Sequence, residues 1–247
     1  GVVALTPAVA AVAMRLGPKE AAALCDRTAD ELLNAMATVK SKGFYLEPLA
    51  KSLVLVANRM TPTKRDVACT QTAAILTDTL IVGAPHAANY LAGRALVGLA
   101  EALVGVSSRL PPAACREIQT RAIRALNEAL ATATQPTAMC NQVRALMVFV
   151  GGMTPTDATA NYETATSILL NALASAKDGE RIDLFDNLLK LTEALVPVVA
   201  RQVPAKRLEV CERAARVLVA TAAFDPNTER ATISPELAVA LTTLAAY

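Results

Sequence analysis

The residues best placed to do chemistry in this sequence are basic side chains that gather around five prolines, Pro18, Pro62, Pro112, Pro155 and Pro204. Cations early in a helix oppose the helix dipole, so local helix stability does not explain the Lys-Arg pairs at 64–65 and 206–207. If the prolines lie along one edge, these side chains form a positive stripe that could bind an acidic protein, a nucleic acid or an anionic membrane. The candidate binding residues are Lys19, Arg59, Lys64, Arg65, Arg116, Lys206 and Arg207.

Two other interpretations compete with binding at this stripe. Its charges could be ordinary solubilising charges, and the fourth unit interrupts it with Gly152 and Asp157 in place of cations. The arginines three residues before a proline also have a structural explanation, because a cation at a helix C-terminus favours the dipole and can bind the last carbonyls. These arginines are Arg15, Arg59, Arg109 and Arg201.

The sequence offers little for catalysis. His86 is the only histidine, and one histidine in a predicted loop cannot supply a site that needs several His and carboxylate ligands. There is no Gly-rich phosphate loop followed by Lys-Ser/Thr, no Cys-x-x-Cys pair and no nucleophile elbow. The carboxylate pairs Asp30-Glu31 and Asp183/Asp186 fall on predicted helix surfaces. We therefore expect a non-enzymatic protein without a cofactor or a metal.

Composition points to closely packed helices. Hydrophobic residues make up 53% of the chain, aromatic residues only 3%, and there is no tryptophan. The net charge of +2 is too small to imply a polyanionic partner without local clustering. Cys25, Cys69 and Cys211 share one repeat position on a predicted buried face, which favours a reduced, cytoplasmic protein. No charge-free run reaches the ~18 residues that a membrane helix needs, so we predict no transmembrane segment.

The prolines belong to a repeat, Arg-Leu/Met-x-Pro, and follow one another at 44, 50, 43 and 49 residues. Ahead of each proline, a helix A carries Leu-Ala-x-x-Leu-x-x-Val, as in residues 49–56, which forms an apolar stripe on one helical face. The proline then lies in the first turn of a helix B, where its missing N–H costs nothing, and Thr61 and Thr154 are placed to cap that helix. The extra six residues of alternate units predict A helices that are longer by ~9 Å.

Repeated helix pairs of this length predict stacked supersecondary units. We expect an all-α, right-handed α-solenoid of about five helical hairpins, with alternating shorter and longer A helices, as a single domain over residues 1–247. The unit length and two-helix layout resemble the HEAT and armadillo repeats, although the short third helix of armadillo is missing. The sequence pattern Leu-Ala-x-x-Leu…Ala-x-Arg-Leu-x-Pro is similar to that of Ala/Leu-rich repeat arrays in large planctomycete proteins. This resemblance implies no activity.

The expected function is a non-enzymatic protein-interaction scaffold that presents a helical concave face and a basic edge at the A–B corners. The alternative is a nucleic-acid-binding α-solenoid that uses the Lys/Arg corner stripe. An enzyme would need titratable groups with shifted pKa values in a pocket, and the sequence identifies no candidate for such a group. Because the repeat pattern reaches both ends of the chain, we also expect a fragment of a longer array, with terminal helices that fray first and could associate end to end.

Overall fold

Each of the five repeat prolines is the first residue of an α-helix, as the spacing predicts. The computed structural model describes residues 2–39, 43–87, 90–151, 153–175, 190–192, 194–202, 204–222 and 242. The B helices are α2 (Pro18–Val39), α4 (Pro62–Gly83), α6 (Pro112–Thr132), α8 (Pro155–Ser175) and α9 (Pro204–Ala222). The A helices are α1 (Val2–Ala13), α3 (Gly43–Ala57), α5 (Tyr90–Ser107) and α7 (Pro136–Val150), and residues 190–192 and 194–199 are helical as well. The described residues contain no strand, which confirms the all-α class.

The corner between an A and a B helix repeats in its backbone hydrogen bonds. The arginine three residues before the proline donates its amide to the carbonyl three residues earlier, at 2.9–3.3 Å, as seen at Arg15, Arg59, Arg109 and Arg201. The residue before the proline then accepts the first helical bond, as in Arg65 N to Thr61 O and Cys115 N to Pro111 O, at 2.9 and 3.0 Å. Since the proline occupies a position whose N–H needs no helical partner, the chain turns without losing a backbone bond.

Thr61 departs from the prediction. Its side chain makes no capping bond to α4, so the predicted hydroxyl cap is wrong at this corner. Instead, Thr61 Oγ1 donates to Asp26 Oδ2 at 3.0 Å, and the Thr61 amide donates to Asp26 Oδ1 at 3.1 Å. A carboxylate is a strong hydrogen-bond acceptor, so Asp26 of α2 holds both the hydroxyl and the amide of Thr61 as donors.

The predicted apolar stripes are buried. The stripe predicted for α2 is Cys25, Thr28, Ala29, Leu32 and Met36, and all of these except the half-buried Thr28 are buried. In α3, Leu49, Leu53 and Val56 are buried. The stripe of α8 is buried at Tyr162, Ala165, Thr166 and Leu169. The core is therefore built mainly from aliphatic and small side chains, as the low aromatic content predicts.

The chain forms two compact units. The first comprises residues 1–86 and 94–126, and the second residues 87–93 and 127–247. In the first unit, α1 contacts α2 and α3, α2 contacts α3 and α4, and α3 contacts α4. In the second unit, α7 contacts α8, and α8 contacts α9. A single domain over residues 1–247 stays a prediction.

The predicted alternation in the length of the A helices stays a prediction, because residues 40–42 and 88–89, which precede α3 and α5, lie outside the described residues. Within them, α5 has 18 residues, against 15 in α3 and in α7, a difference of ~4.5 Å. A short 3₁₀ turn, Ala84–His86, follows α4, with His86 exposed at its end. The second predicted long helix, from residue 182, and the predicted C-terminal helix at 237–246 lie largely outside the described residues.

One helical stretch among the described residues, Pro62–His86, is long and apolar enough to cross a membrane by length and composition. The core helix of a soluble protein passes the same test. The face of α4 that carries Cys69, Ala73, Leu76 and Leu80 is buried, and α4 packs against α2 and α3. Burial inside the protein accounts for the apolar character of this face.

The close packing of Asn141 against Gly93 leads to a testable prediction in the second unit. Asn141 is buried and donates from Nδ2 to the Ala87 carbonyl at 2.9 Å, and a Cβ on Gly93 would overlap this amide group. Gly93→Ala should therefore lower the free energy of unfolding by about 1 kcal/mol, because a lost buried hydrogen bond outweighs the gain in helix propensity. Gly83→Ala is the control, since nothing lies within 4 Å of its new Cβ. Urea unfolding followed by circular dichroism checks the pair, and equal stability of both variants would contradict the constraint.

Candidate functional site

The seven candidate binding residues, which we call the corner cations, differ in their surroundings. They are Lys19, Arg59, Lys64, Arg65, Arg116, Lys206 and Arg207. Lys64 Nζ lies 2.6 Å from Asp30 Oδ1 of α2, and Arg65 Nε lies 3.3 Å from Asp66 Oδ1. Both pairs are largely solvent-exposed, so each contributes little to stability. Because Asp26 and Asp30 lie one turn apart on α2, two acids of one B helix bind the corner that starts the next B helix.

The last corner is paired in the same way. Lys206 Nζ lies 3.6 Å from Glu209 Oε2 and 3.9 Å from Glu163 Oε1 of α8. Arg207 Nε donates to the Gln202 carbonyl at 2.9 Å, at the end of the preceding helical segment. The charges at the second and the last corner of the predicted stripe are thus partly compensated by neighbouring acids and a carbonyl.

Three corner cations have no polar partner in the part of the chain that the structure describes: Lys19, Arg59 and Arg116. All three are exposed and belong to the first compact unit. Arg109 Nη1, in contrast, donates to Asn58 Oδ1 beside the preceding corner, so this arginine links successive corners instead of capping its own helix. The cations available to a ligand are therefore fewer than the sequence suggests.

A second surface emerges on the A helices. The residues seven and eight positions before each proline are all apolar, and none of them is buried. We call them the A-face apolar residues: Ala10, Ala11, Val54, Leu55, Val104, Gly105, Met147, Val148, Val196 and Pro197. Ala11 and Leu55 are exposed and the other eight residues are half-buried, so an apolar residue at these two positions keeps some contact with solvent in each unit.

Between α3 and α5 these residues line a furrow. A Cβ on Gly105 would lie 3.6 Å from Val54 Cγ2, an ordinary van der Waals contact, so the two helices approach closely here, and we use the word furrow for this line of approach. Lys51 of α3 connects the two helices, with its Nζ 2.9 Å from Glu101 Oε2 and 2.8 Å from Glu47 Oε1. The hydrogen bonds to Glu47 and then Glu101 raise the pKa of the Lys51 ammonium group. The furrow is therefore apolar with a charged border.

The exposed side of a B helix has a different character. In α2 it carries Lys19, Glu20, Arg27, Asp30 and Glu31, all exposed. Charged side chains of both signs are what a solvated helix face requires. The B helices are not uniform in this respect, because Val67 and Val82 of α4 and Leu208 and Val219 of α9 are exposed as well.

Sequence reasoning missed the A-face apolar residues. The Leu-Ala-x-x-Leu-x-x-Val motif accounts for the buried stripe. When the five units are aligned on their prolines, the positions seven and eight residues before the proline form two further apolar columns. These columns make the apolar arc of helix A wider than one buried face needs. The extra width of this apolar arc is the sequence signal that could have identified the A-face apolar residues.

The remaining polar features do not form a catalytic centre within the described residues. No group of three or more His, Cys, Asp or Glu residues there could hold a metal ion. An open groove of about 470 Å³ at the start of α8 is lined by Thr156, Thr159, Ala160 and Glu163, with a single carboxylate. Such a groove supplies neither a nucleophile–base pair nor a metal site.

The repeat cysteines behave as core residues. Cys25 and Cys69 are buried and Cys211 is half-buried, and desolvation by burial is the main cause that raises the pKa of all three thiols. A raised pKa keeps the thiol neutral and poorly nucleophilic. The structural role predicted for this position therefore agrees with its surroundings.

Neither a scan against known protein families nor a search of curated proteins gives a match for this chain.

The contact between Asp26 and Thr61 should stabilise the protein more than an exposed ion pair does. Asp26→Ala removes the acceptor of two hydrogen bonds and should lower the free energy of unfolding by about 1–2 kcal/mol. Asp78→Ala is the matched control, because Asp78 only pairs with Arg121 at 3.0 Å on the surface, and it should cost at most about 0.5 kcal/mol. Denaturant titration measures both, and a control as destabilised as Asp26→Ala would refute the ranking.

Alkaline pH should destabilise the fold through the buried thiols. Their raised folded-state pKa means that stability is fully present below the unfolded thiol value of ~8.5 and is lost as the pH rises above it. The urea midpoint should therefore fall between pH 8 and about 10, and Cys69→Ala should reduce this fall. Cys115→Ala, at a half-buried site, provides the comparison. An identical pH profile for wild type and Cys69→Ala would exclude this cause.

Proposed function

We propose that this chain is an α-solenoid of about five stacked helical hairpins and acts as a non-enzymatic scaffold that binds a protein segment through its A-face apolar residues. The observation that carries the proposal is the persistence of accessible apolar residues at the same two positions of every unit. A chain selected only for solubility would place polar residues there, as it does on α2.

The recurring corner supports the stacked arrangement. Its backbone bonds are the same at successive units, and within the first compact unit each helix meets its counterpart, α1 with α3 and α2 with α4. Repeat proteins in which each unit contacts mainly its neighbours present extended surfaces of equivalent helices. The direction of curvature and the right-handed superhelix are part of the proposal.

The furrow between α3 and α5 suggests the chemistry of the partner. An apolar side chain inserted above Gly105 would bury surface against Val54 and Leu55, at roughly 25 cal/mol per Å². The border residues Lys51 and Glu101 are already paired with each other, so they set the edges of the furrow without demanding one sign of charge. The exposed corner cations Lys19 and Arg59 would favour acidic residues beyond this apolar anchor. The expected partner is a helix or extended segment with spaced apolar residues and flanking acids.

Two variants test this surface without touching the core. Leu55→Glu places a charge beside the furrow, and Gly105→Leu fills it without any charge. Used as baits in a lysate pull-down read by mass spectrometry, both should lose the partners that the wild-type chain retains, because the apolar contact is blocked in two different ways.

The control bait changes Lys64, Arg65, Lys206 and Arg207 to Glu. Under this proposal it keeps the partners at reduced yield, since rim charges mainly affect association rates. Partners lost from the control bait but kept by the two furrow variants would place the interaction on the corners and overturn the proposal.

Nucleic-acid binding is the second candidate, and the exposed, unpaired Lys19, Arg59 and Arg116 favour it. If these three cations contact phosphates, log K should fall with log salt at a slope of about −2 to −3. Fluorescence anisotropy with single- and double-stranded DNA and RNA, from low to physiological salt, measures this slope. The scaffold proposal expects no affinity at low salt, and binding abolished by charge reversal at all three positions would establish the alternative.

A further inference from the structure

The last turns of the first three A helices share an apolar position and an arginine. These segments are residues 10–15, 54–59 and 104–109, and in each of them the final arginine is the only charged residue. The A-face apolar residues Ala11, Leu55 and Gly105 each lie four residues before that arginine. Because the amide of each arginine still bonds to the carbonyl three residues back, the chain continues to turn there. The arginine therefore follows the apolar position by about one turn, on the same side of the helix.

The three segments lie side by side in the first compact unit. Helix α3 packs against α1, and a Cβ on Gly105 of α5 would lie 3.6 Å from Val54 Cγ2 of α3. Arg109 Nη1 donates to Asn58 Oδ1, which holds this guanidinium group beside the residue that precedes Arg59. The A helices therefore present two adjacent rows. We call them the apolar row, which is Ala11, Leu55 and Gly105, and the arginine row, which is Arg15, Arg59 and Arg109.

The arginine row is not neutralised by the residues that the structure describes around it. Arg15 and Arg59 are exposed and form no ion pair with any of them, and Arg109 bonds to the neutral amide of Asn58. On the other side of the apolar row, Lys51 and Glu101 neutralise each other at 2.9 Å. The surface is thus positive on its corner side only. A complementary partner carries acidic residues along one flank of its apolar face.

The spacing of the rows favours a helix over an extended segment. Helices that pack side by side are about 8–10 Å apart. Residues seven apart in an α-helix lie on nearly the same side and about 10.5 Å from each other, so a tilt of about 20–40° brings this repeat onto the rows. A strand repeats on one side every second residue, at about 6.6 or 13 Å, and matches the rows only at a tilt above about 40°.

We propose that the partner is an amphipathic α-helix with a seven-residue repeat that lies across α1, α3 and α5. One apolar residue of each heptad contacts the apolar row, and acidic residues on one flank pair with the arginine row. This inference rests on the proposed function, because it names the partner of the A-face apolar residues. A nucleic acid fits less well, since its phosphates would meet the arginine row and leave the apolar row uncovered.

Three labelled peptides test the fit by fluorescence anisotropy with the 247-residue chain. The first is an alanine- and glutamine-based helix of three heptads, each with one leucine and a glutamate four residues later. The second has the same composition with a six-residue repeat, which spreads the leucines around the helix. The third is the heptad peptide with two prolines at neutral positions, which interrupt the helix. The heptad peptide should bind at least about 10-fold more tightly than either control, because it alone meets both rows.

Two variants of the chain test the charge. Arg59→Glu should weaken binding of the heptad peptide by about 10-fold, and a heptad peptide with lysine in place of glutamate should instead prefer this variant over the wild type. Arg27→Glu is the matched control, since Arg27 is exposed on α2 and lies outside the arginine row, and it should leave the affinity unchanged.

The outcomes separate this inference from the proposed function. No binding of the heptad peptide up to about 100 µM, equal affinity for the heptad peptide and either control, or an equal response to Arg59→Glu and Arg27→Glu would each overturn the inference. If the baits Leu55→Glu and Gly105→Leu still lose their partners in such a case, the proposed function stands with a partner of another form. Retention of all partners by both baits would overturn the proposed function itself.

Discussion

The structure depends on the corner at which an A helix ends and a proline starts a B helix. The residue before a proline is pushed away from the helical region, and Thr61 accordingly has φ −61° and ψ 141°. The proline itself gives up only an N–H that the first turn of a helix leaves unpaired. One extended residue between two helices fixes how the hairpin folds, and the two helices of a hairpin pack against each other, as α1 and α2 or α3 and α4 do. A hairpin made in this way buries one side of each helix and leaves another apolar side for its neighbour.

The charged contacts at the corners relate one hairpin to the next. Asp26 binds Thr61 and Asp30 binds Lys64, over 35 and 34 residues, while Lys206 reaches Glu163 over 43 residues. Such separations are close to one repeat, so these contacts connect consecutive B helices. The two ion pairs are exposed and individually weak, so they restrain the register of the helices more than they add stability, whereas Asp26 contributes more through its two hydrogen bonds to Thr61. Lys64 and Lys206 thus have a structural use that the helix dipole alone did not reveal.

The sequence was sufficient for features that depend on local rules. Proline position and apolar periodicity predicted the start of all five B helices and the buried stripes of α2 and α8, because each follows from backbone chemistry and helical geometry. The Thr61 hydroxyl could not be predicted in the same way, since its acceptor Asp26 belongs to another hairpin 35 residues earlier. The length of α5 could not be fixed from the sequence, because an insertion can lengthen a helix or form a turn, and Ala84–His86 forms a turn after α4. Whether Lys19, Arg59 and Arg116 are paired could not be predicted either, because pairing depends on which acidic residues of neighbouring helices lie close to them.

Helical geometry explains why the two apolar surfaces of an A helix have different environments. At 100° per residue, the positions thirteen, ten, six and two before the proline cluster on one side of the helix, and for α3 these residues are buried. The positions seven and eight before the proline lie about 100° apart on the other side, and the position eleven before it lies between them. Lys51 and Glu101 occupy that central position in α3 and α5, and both are exposed. Val54 of α3 and Gly105 of α5 are flanking residues that come together, because a Cβ on Gly105 would lie 3.6 Å from Val54 Cγ2. Their half-buried state therefore follows from a position between the buried side of the helix and the charged centre of its exposed side.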